Sequence, residues 1–321
     1  MVRFWCCGIA MVVLAVAAFV ASAVERVLAD TDPQRVFTAQ GGRVVVDAST
    51  RTVSFDGLTL AEARGVIGAC VLRDRLVVAQ RDGLVLIYDL PDPMTDGPPV
   101  LAQRIENVGR DVRDVITAPL VERALVLAAG SNEVFGINLY DENLIVEGEV
   151  DEPAFVDHAR FFDFLRDGDG QAATPILLAL GPQRLALVTE SQILEVFHLN
   201  RSYQELSRTD WPAGVARIKS IAYTGSRWLL AGLDERAEPV LLQAETTSGP
   251  WSDFGIAALD EALAGEDGPI AWLPGGFTIT DGEVWLAIRG ERAAVASWAL
   301  SAEVVTEPAI TVQWLNEATG R

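Results

Sequence analysis

The chain has 321 residues, 50% of them hydrophobic, with 45 acidic against 25 basic residues and a formal charge of −20. That apolar content supplies a sizeable core and excludes a disordered chain, and the length allows one large all-β domain or two ordinary ones. The negative charge repels nucleic acid and anionic membrane surfaces, so neither is expected as a partner.

The N-terminus is apolar from Phe4 to Val24, with Arg3 in front and no charge within the run. Two candidate signal-peptidase sites follow, Ala21-Ser22-Ala23 and Val27-Leu28-Ala29, so residues 1–29 read as a secretory signal. The run approaches the roughly 20 residues that span a bilayer, which makes an uncleaved N-terminal membrane anchor the alternative. In both cases residues 30–321 are expected to form a single domain outside the cytoplasm, periplasmic or secreted. Cys6 and Cys7 fall in the leader, so Cys70 is the single cysteine of the remaining chain. No internal disulfide is then available, and the position of Cys70 in the apolar run Val66–Leu72 predicts core packing. Lys219 is the only lysine, a compositional sign of a GC-rich, bacterial genome.

Residues 30–41 are polar, contain Pro33, and read as a short lead-in. The first two-strand ribbon is Arg43–Ala48 with Thr52–Phe55, followed by a helical or loop connector at Leu60–Arg64. Val66–Leu72 then leads into the second ribbon, Arg75–Leu90, where two β-branched and apolar runs flank Gln80-Arg81-Asp82-Gly83. Asp-Gly between hydrophobic runs is a hairpin signal, because the turn needs positive φ and glycine supplies it without strain. Leu84, Leu86 and Tyr88 should share one face of the ribbon, with Val85 and Ile87 on the other. After a Pro- and Gly-rich loop, Val100–Ile105 reads as an edge strand.

The third ribbon is Arg123–Ala129 with Glu133–Tyr140, followed by an expected outer strand at Leu144–Val150. An insertion, Phe155–Thr174, precedes the fourth ribbon, Arg184–Thr189 with Ile193–Leu199, and Tyr203–Arg208 lies outside it. The fifth has Ile218–Tyr223 leading into Arg227–Gly232 and Val240–Ala244. The sixth runs through Phe277–Thr280, Glu283–Ile288, Ala293–Leu300 and Ile310–Leu315. The second strand of each unit opens on an equivalent residue: Arg43, Arg75, Arg123, Arg184, Arg227 and Glu283. Their spacings, about 32, 48, 61, 43 and 56 residues, bracket the ~40–45 residues of a four-stranded propeller blade. The short first spacing fits an incomplete first blade or one closed by C-terminal strands. No helical run is long enough for βαβ crossovers.

These units resemble the repeats of the β-propeller superfamily, of the WD-repeat or quinoprotein-like kind, over residues of about 40–316. Leu86-Ile87-Tyr88-Asp89-Leu90 is similar to the end of a WD-repeat's third strand, with Tyr88-Asp89 where Trp-Asp would stand. Ile218–Gly232 resembles the paired inner strands. The Gly-His signature of WD repeats and the tryptophan docking motif of the quinoprotein type are missing. The resemblance implies an all-β propeller of about six four-stranded blades, with five or seven also open.

Asp167-Gly168-Asp169-Gly170 has the alternate carboxylates and glycine of a calcium loop, but Leu165 and Ala173 stand where further ligands belong. The segment therefore reads as a solvated turn, with Asp167 and Asp169 the remaining metal candidates. His158 and His198 are the only histidines, which excludes a histidine metal cluster, and both read as structural or surface residues. There is no Gly-x-Ser-x-Gly elbow and no phosphate-binding glycine loop. No catalytic residue and no cofactor is expected. Seven of the eight tryptophans, from Trp211 to Trp314, lie in the C-terminal part, where packing between blades is the default and a binding face the alternative. Repeat architecture without a convergent catalytic set points to a binding or scaffolding module for a protein partner. The alternative is a metal-dependent hydrolase or lactonase-like six-bladed enzyme, whose metal would be held by carboxylate and Asn side chains in the central channel.

Overall fold

The structure, a computed structural model, describes residues 33–47, 50–94, 97–118, 123–139, 155–160, 174–181, 184–197, 204–254, 259, 261, 271–280, 283–289, 293–299 and 309–314. They form six four-stranded sheets. Blade 1 comprises β1 (Pro33–Ala39), β2 (Gly42–Asp47), β3 (Thr52–Phe55) and β4 (Leu58–Arg64). Blade 2 is β5 (Val66–Leu72), β6 (Arg75–Gln80), β7 (Val85–Asp89) and β8 (Val100–Ile105). Blade 3 is β9 (Val112–Ala118), β10 (Arg123–Ala128), β11 (Glu133–Asn138) and β12 (Phe155–Arg160). Blade 4 is β13 (Leu177–Gly181), β14 (Arg184–Val188), β15 (Gln192–Phe197) and β16 (Gln204–Asp210). Blade 5 is β17 (Arg217–Tyr223), β18 (Trp228–Leu233), β19 (Pro239–Ala244) and β20 (Ser252–Asp253). Blade 6 is β21 (Ala271–Thr280), β22 (Glu283–Arg289), β23 (Ala293–Ala299) and β24 (Thr311–Trp314). Every blade is an antiparallel meander of consecutive strands. The first strands line the hub, each packing against the first strand of the next blade, and β1 meets β21 to complete the ring.

Four expectations need correction. Residues Pro33–Ala39 are the inner strand of blade 1, not a lead-in. Leu60–Arg64 belongs to the outer strand β4, not to a helical or loop connector. Blade 1 is complete within itself, and its spacing is short because Asp56-Gly57 alone joins β3 to β4 and Gly65 alone joins β4 to β5. The ring therefore closes by packing rather than by a shared sheet, with Trp285 of β22 buried among blade 1 side chains such as Val44 and Phe55. Finally, Phe155–Arg160, expected within an insertion, is the fourth strand of blade 3. The segment Leu144–Val150, expected in that role, lies outside the described residues.

The ribbon Arg75–Leu90 is the middle pair of blade 2. Leu86 and Tyr88 join one core cluster with Leu84 against blade 1, while Val85 and Ile87 join another with blade 3 residues such as Val112 and Phe135. Alternate side chains thus feed two interfaces, the consequence of a two-residue period in a sheet covered on both faces. Its turn has Gly83 at φ +93°, and a Cβ there would sit 2.5 Å from the Gly109 carbonyl oxygen of the link to blade 3. The missing side chain lets that link approach: Val108 N–H donates to the Gly83 carbonyl at 2.9 Å.

The repeated arginine at the start of the second strand has a structural role. Arg75 lies 3.5 Å from Asp89, its register partner on the third strand. Arg123 Nε donates to Asn138 at 2.8 Å, again its register partner. Arg184 pairs with Glu195 at 2.9 Å, and Arg227 with Glu245 at 3.6 Å. In four blades a polar pair thus links the second strand to the third: directly opposed in blades 2 and 3, diagonal in blade 4, where Glu195 is in register with Ala186, and just beyond the strand ends in blade 5. The effects should differ with burial. Glu195 is 5% exposed at its side chain and Glu245 is 80% exposed. Arg184→Met should therefore cost about 1–3 kcal/mol, because the buried Glu195 carboxylate loses its cation and keeps the Ser207 hydroxyl at 3.2 Å as a donor. Arg227→Met should cost less than about 1 kcal/mol, as exposed pairs do. Urea unfolding of the two variants checks the order.

Candidate functional site: a cationic mouth above a crossed hub

At mid-height the hub is crossed by an ion pair. Arg35 of β1 meets Asp114 of β9, with side chains 5% and 4% exposed. The Arg35 guanidinium also donates to the Ala69 carbonyl of β5 at 3.0 Å and to the Val115 carbonyl at 2.8 Å. Asp114 Oδ1 accepts from Val115 N–H at 2.9 Å, and Oδ2 accepts from Leu178 N–H of β13 at 2.9 Å. One pair thus ties the inner strands of blades 1 to 4 and satisfies backbone groups that line a hub rather than a ladder. Gly68 lies beside it, where a Cβ would stand 3.3 Å from Val115 Cγ1 and in ordinary contact, 3.5 Å, with the guanidinium. On the far side of the ring, Phe277 N–H donates to Ser220 Oγ at 2.9 Å and joins blades 5 and 6 in the same way.

This polar layer separates two cavities that share no lining residue. The lower one, about 220 Å³, is mostly apolar and is lined by Ala69, Val71, Ile116, Leu180, Ile221 and Phe277 among others. Cys70 borders it, and burial pushes the thiol up to about 12, so it stays protonated and inert, in keeping with the core role expected of it. The upper cavity, about 720 Å³, is the mouth of the hub. Its wall is made by the starts of β5, β9 and β17, by the residue preceding β13, and by turns between second and third strands.

The mouth gathers positive charge in an acidic protein. Arg51, Arg81, Arg113, Arg217 and Lys219 line it, against the carboxylates of Asp114 and Glu190. Asp114 already holds Arg35. Asp111, beside the mouth, pairs with Arg113 Nε at 2.9 Å and approaches Arg81 Nε at 4.0 Å. Arg51, Arg217 and Lys219 have no ion-pair partner among the described residues. Val66, Ile67, Ile176 and Trp211 give the wall apolar stretches, and Trp211 Nε1 is buried without a hydrogen-bond partner among the described residues. Trp211 is thus at a cavity wall, whereas Trp228, Trp285 and Trp298 are core residues.

Burial, and then the neighbouring Arg217 guanidinium, hold the Lys219 ammonium below the ordinary lysine range. Its folded-state proton is bound less tightly than in the unfolded chain, so the charged form costs stability below the lowered pKa. That cost is relieved as pH rises through the interval up to 10.5, the ordinary value. Because Lys219 is the only lysine, protein labelled with ¹³C-lysine carries a single ¹³Cε reporter. It should titrate below free lysine. Arg217→Gln should raise the midpoint without restoring it fully, since burial is the larger cause.

The metal and histidine candidates of the sequence are not among the described residues that line the mouth. Asp167, Asp169 and His198 lie outside the described residues. His158 sits on β12 in register with Phe135, and its side chain is likewise outside the described set. Among the described residues no three of His, Cys, Asp and Glu come together as a metal site. The carboxylate that does reach the hub, Asp114, has both oxygens engaged by Arg35 and backbone N–H groups. Sequence reading missed Arg35, Asp114 and the mouth cations. Arg35 and Asp114 are 79 residues apart, and the mouth cations belong to no motif.

No protein-family model and no curated protein sequence matches the chain. Among solved structures it is similar to a Lactobacillus plantarum protein at 14% identity and a TM-score of 0.49, covering 87% of this chain and 79% of that one. A Bacteroides uniformis protein provisionally assigned as a 6-phosphogluconolactonase is similar at 12% identity and a TM-score of 0.48, over 85% of this chain and 80% of that one. The β-propeller domain of Myceliophteria thermophila Cps50 is similar at 15% identity and a TM-score of 0.42, over 75% and 67%. At such identities a likeness extends no further than fold. Six meander sheets closed in a ring around a hub of first strands make this chain a six-bladed β-propeller.

Proposed function

We infer that the protein is a binding module working outside the cytoplasm, engaging a protein partner through the face that carries the mouth. The observation that carries this reading is the pairing of the crossed hub with the cationic mouth. Among the described residues, the hub carboxylate Asp114 is spent on holding blades together, which leaves the cations and Glu190 of the mouth as the polar groups offered to a ligand. The extracytoplasmic placing rests on the uncharged run Phe4–Val24 and the candidate cleavage sites behind it.

Two measurements test the reading. Alkaline phosphatase fused to the C-terminus should be active in cells, as it is only after export; an inactive fusion of a stable protein would contradict the placing. Affinity capture from envelope extracts should recover the same partner in independent preparations. Recovery of none, or a stoichiometric divalent metal in the purified protein by elemental analysis, would turn the reading towards the hydrolase alternative.

A further inference from the structure

We propose that the mouth is the seat of an acidic peptide segment, in which carboxylates engage the mouth arginines and Lys219 while an apolar side chain rests against the wall at Trp211. This rests on the binding-module reading above and names the chemistry by which the partner is held.

Three observations carry it. The first is sign. In a chain with a formal charge of −20, five cations converge on one cavity, and three of them have no ion-pair partner among the described residues. At physiological salt, charges more than about 8 Å away are largely screened, so an approaching anion senses the mouth rather than the net charge. The second is composition. Four of the five cations are arginines, whose planar fork matches a carboxylate bidentately, and the wall beside them is apolar.

The third is distribution, which favours a chain segment over a single small anion. Arg113, Arg217 and Lys219 sit on inner strands, whereas Arg51 and Arg81 sit on turns between second and third strands. Neighbouring strands lie ~4.8 Å apart, so the positive charge runs outward from the hub axis and is contributed by four blades. A compact ion at the axis reaches the inner set alone. An extended segment with carboxylates along its length reaches both.

The test uses the purified protein and the fluorescein-labelled peptide Glu-Glu-Leu-Glu-Glu-Leu, with fluorescence polarisation and the single ¹³Cε lysine resonance as readouts. The wild type should bind the peptide and shift that resonance. Arg217→Glu with Lys219→Glu should weaken binding at least tenfold, and so should Arg51→Glu with Arg81→Glu. Arg73→Glu, on the turn between β5 and β6 at the opposite face, should change it less than twofold. Thermal melts check that each variant is folded. Absence of peptide binding, or binding that both mouth variants retain, overturns the proposal. Displacement by citrate or inorganic phosphate at the concentration at which unlabelled peptide displaces also overturns it, in favour of a small-anion site. The two readings fail separately. A partner captured equally by wild type and Arg217→Glu/Lys219→Glu would keep the binding module and remove the mouth as its seat. Capture of no partner would remove the module itself.

Discussion

Replacing Asp114 by alanine is expected to cost about 3–5 kcal/mol of folding stability, the cost typical of breaking a buried ion pair by removing one partner. The size follows from what is left behind. Arg35 would keep a buried charge with no counterion from Asp114, and the N–H groups of Val115 and Leu178 would lose their acceptor. Arg35→Leu should cost a comparable amount, because it strands the carboxylate and frees the carbonyls of Ala69 and Val115. A buried pair can often be exchanged for two apolar residues with little loss. Here the double variant Arg35→Leu/Asp114→Leu should recover only part of the loss, since four backbone groups from three inner strands would still lack partners. Denaturant unfolding of the three variants reads this directly. An Asp114→Ala protein within about 0.5 kcal/mol of wild type, the range of ordinary surface changes, would mean that the pair does not hold the hub.

The second large effect lies in blade 2. Val85→Asp should cost more than about 4 kcal/mol, because it places an unpaired charge where the native side chain has no exposed surface. Leu86→Asp should do the same through the opposite face of the same strand. Val85 packs towards blade 3 and Leu86 towards blade 1, so each variant disrupts a different interface. Against a total stability of about 5–15 kcal/mol, either should lower the melting temperature by roughly 8 °C or more, or abolish soluble expression. Val100→Asp is the control. Val100 opens the outer strand β8 and is 64% exposed, so the same chemical change should stay within about 0.5 kcal/mol. Normal folding of Val85→Asp or Leu86→Asp would contradict the blade packing itself.

The middle strands were legible in the sequence because their pattern is dictated by burial on two faces. Runs such as Leu76–Ala79 and Leu84–Tyr88 are continuous and apolar, and the turn chemistry of Asp82-Gly83 separates them. The innermost and outermost strands are exposed to different demands. Arg35 makes β1 look polar because the strand faces a hub where a charge is paired across the ring, a contact with no local signature. Strand β4, Leu-Thr-Leu-Ala-Glu-Ala-Arg, is an edge strand rich in residues that also suit a helix, and hydrogen bonding to β3 decides its conformation. The repeated arginine was visible as a pattern, but its purpose was not. Only the register shows that it faces Asp89 in blade 2 and Asn138 in blade 3. The mouth was invisible for a further reason: Arg51, Arg81, Arg113 and Arg217 are far apart in the chain, and ring closure alone brings them to one rim.

The proposed docking face is the one that carries the mouth, above the ion pair that crosses the hub. Site-specific photo-crosslinking in intact cells tests it most directly, with a photoreactive residue placed at Ala216 on the exposed mouth wall or at Arg73 on the opposite face. A discrete crosslinked partner from Ala216 and none from Arg73 is the predicted result. The same partner from Arg73 with none from Ala216 would contradict it.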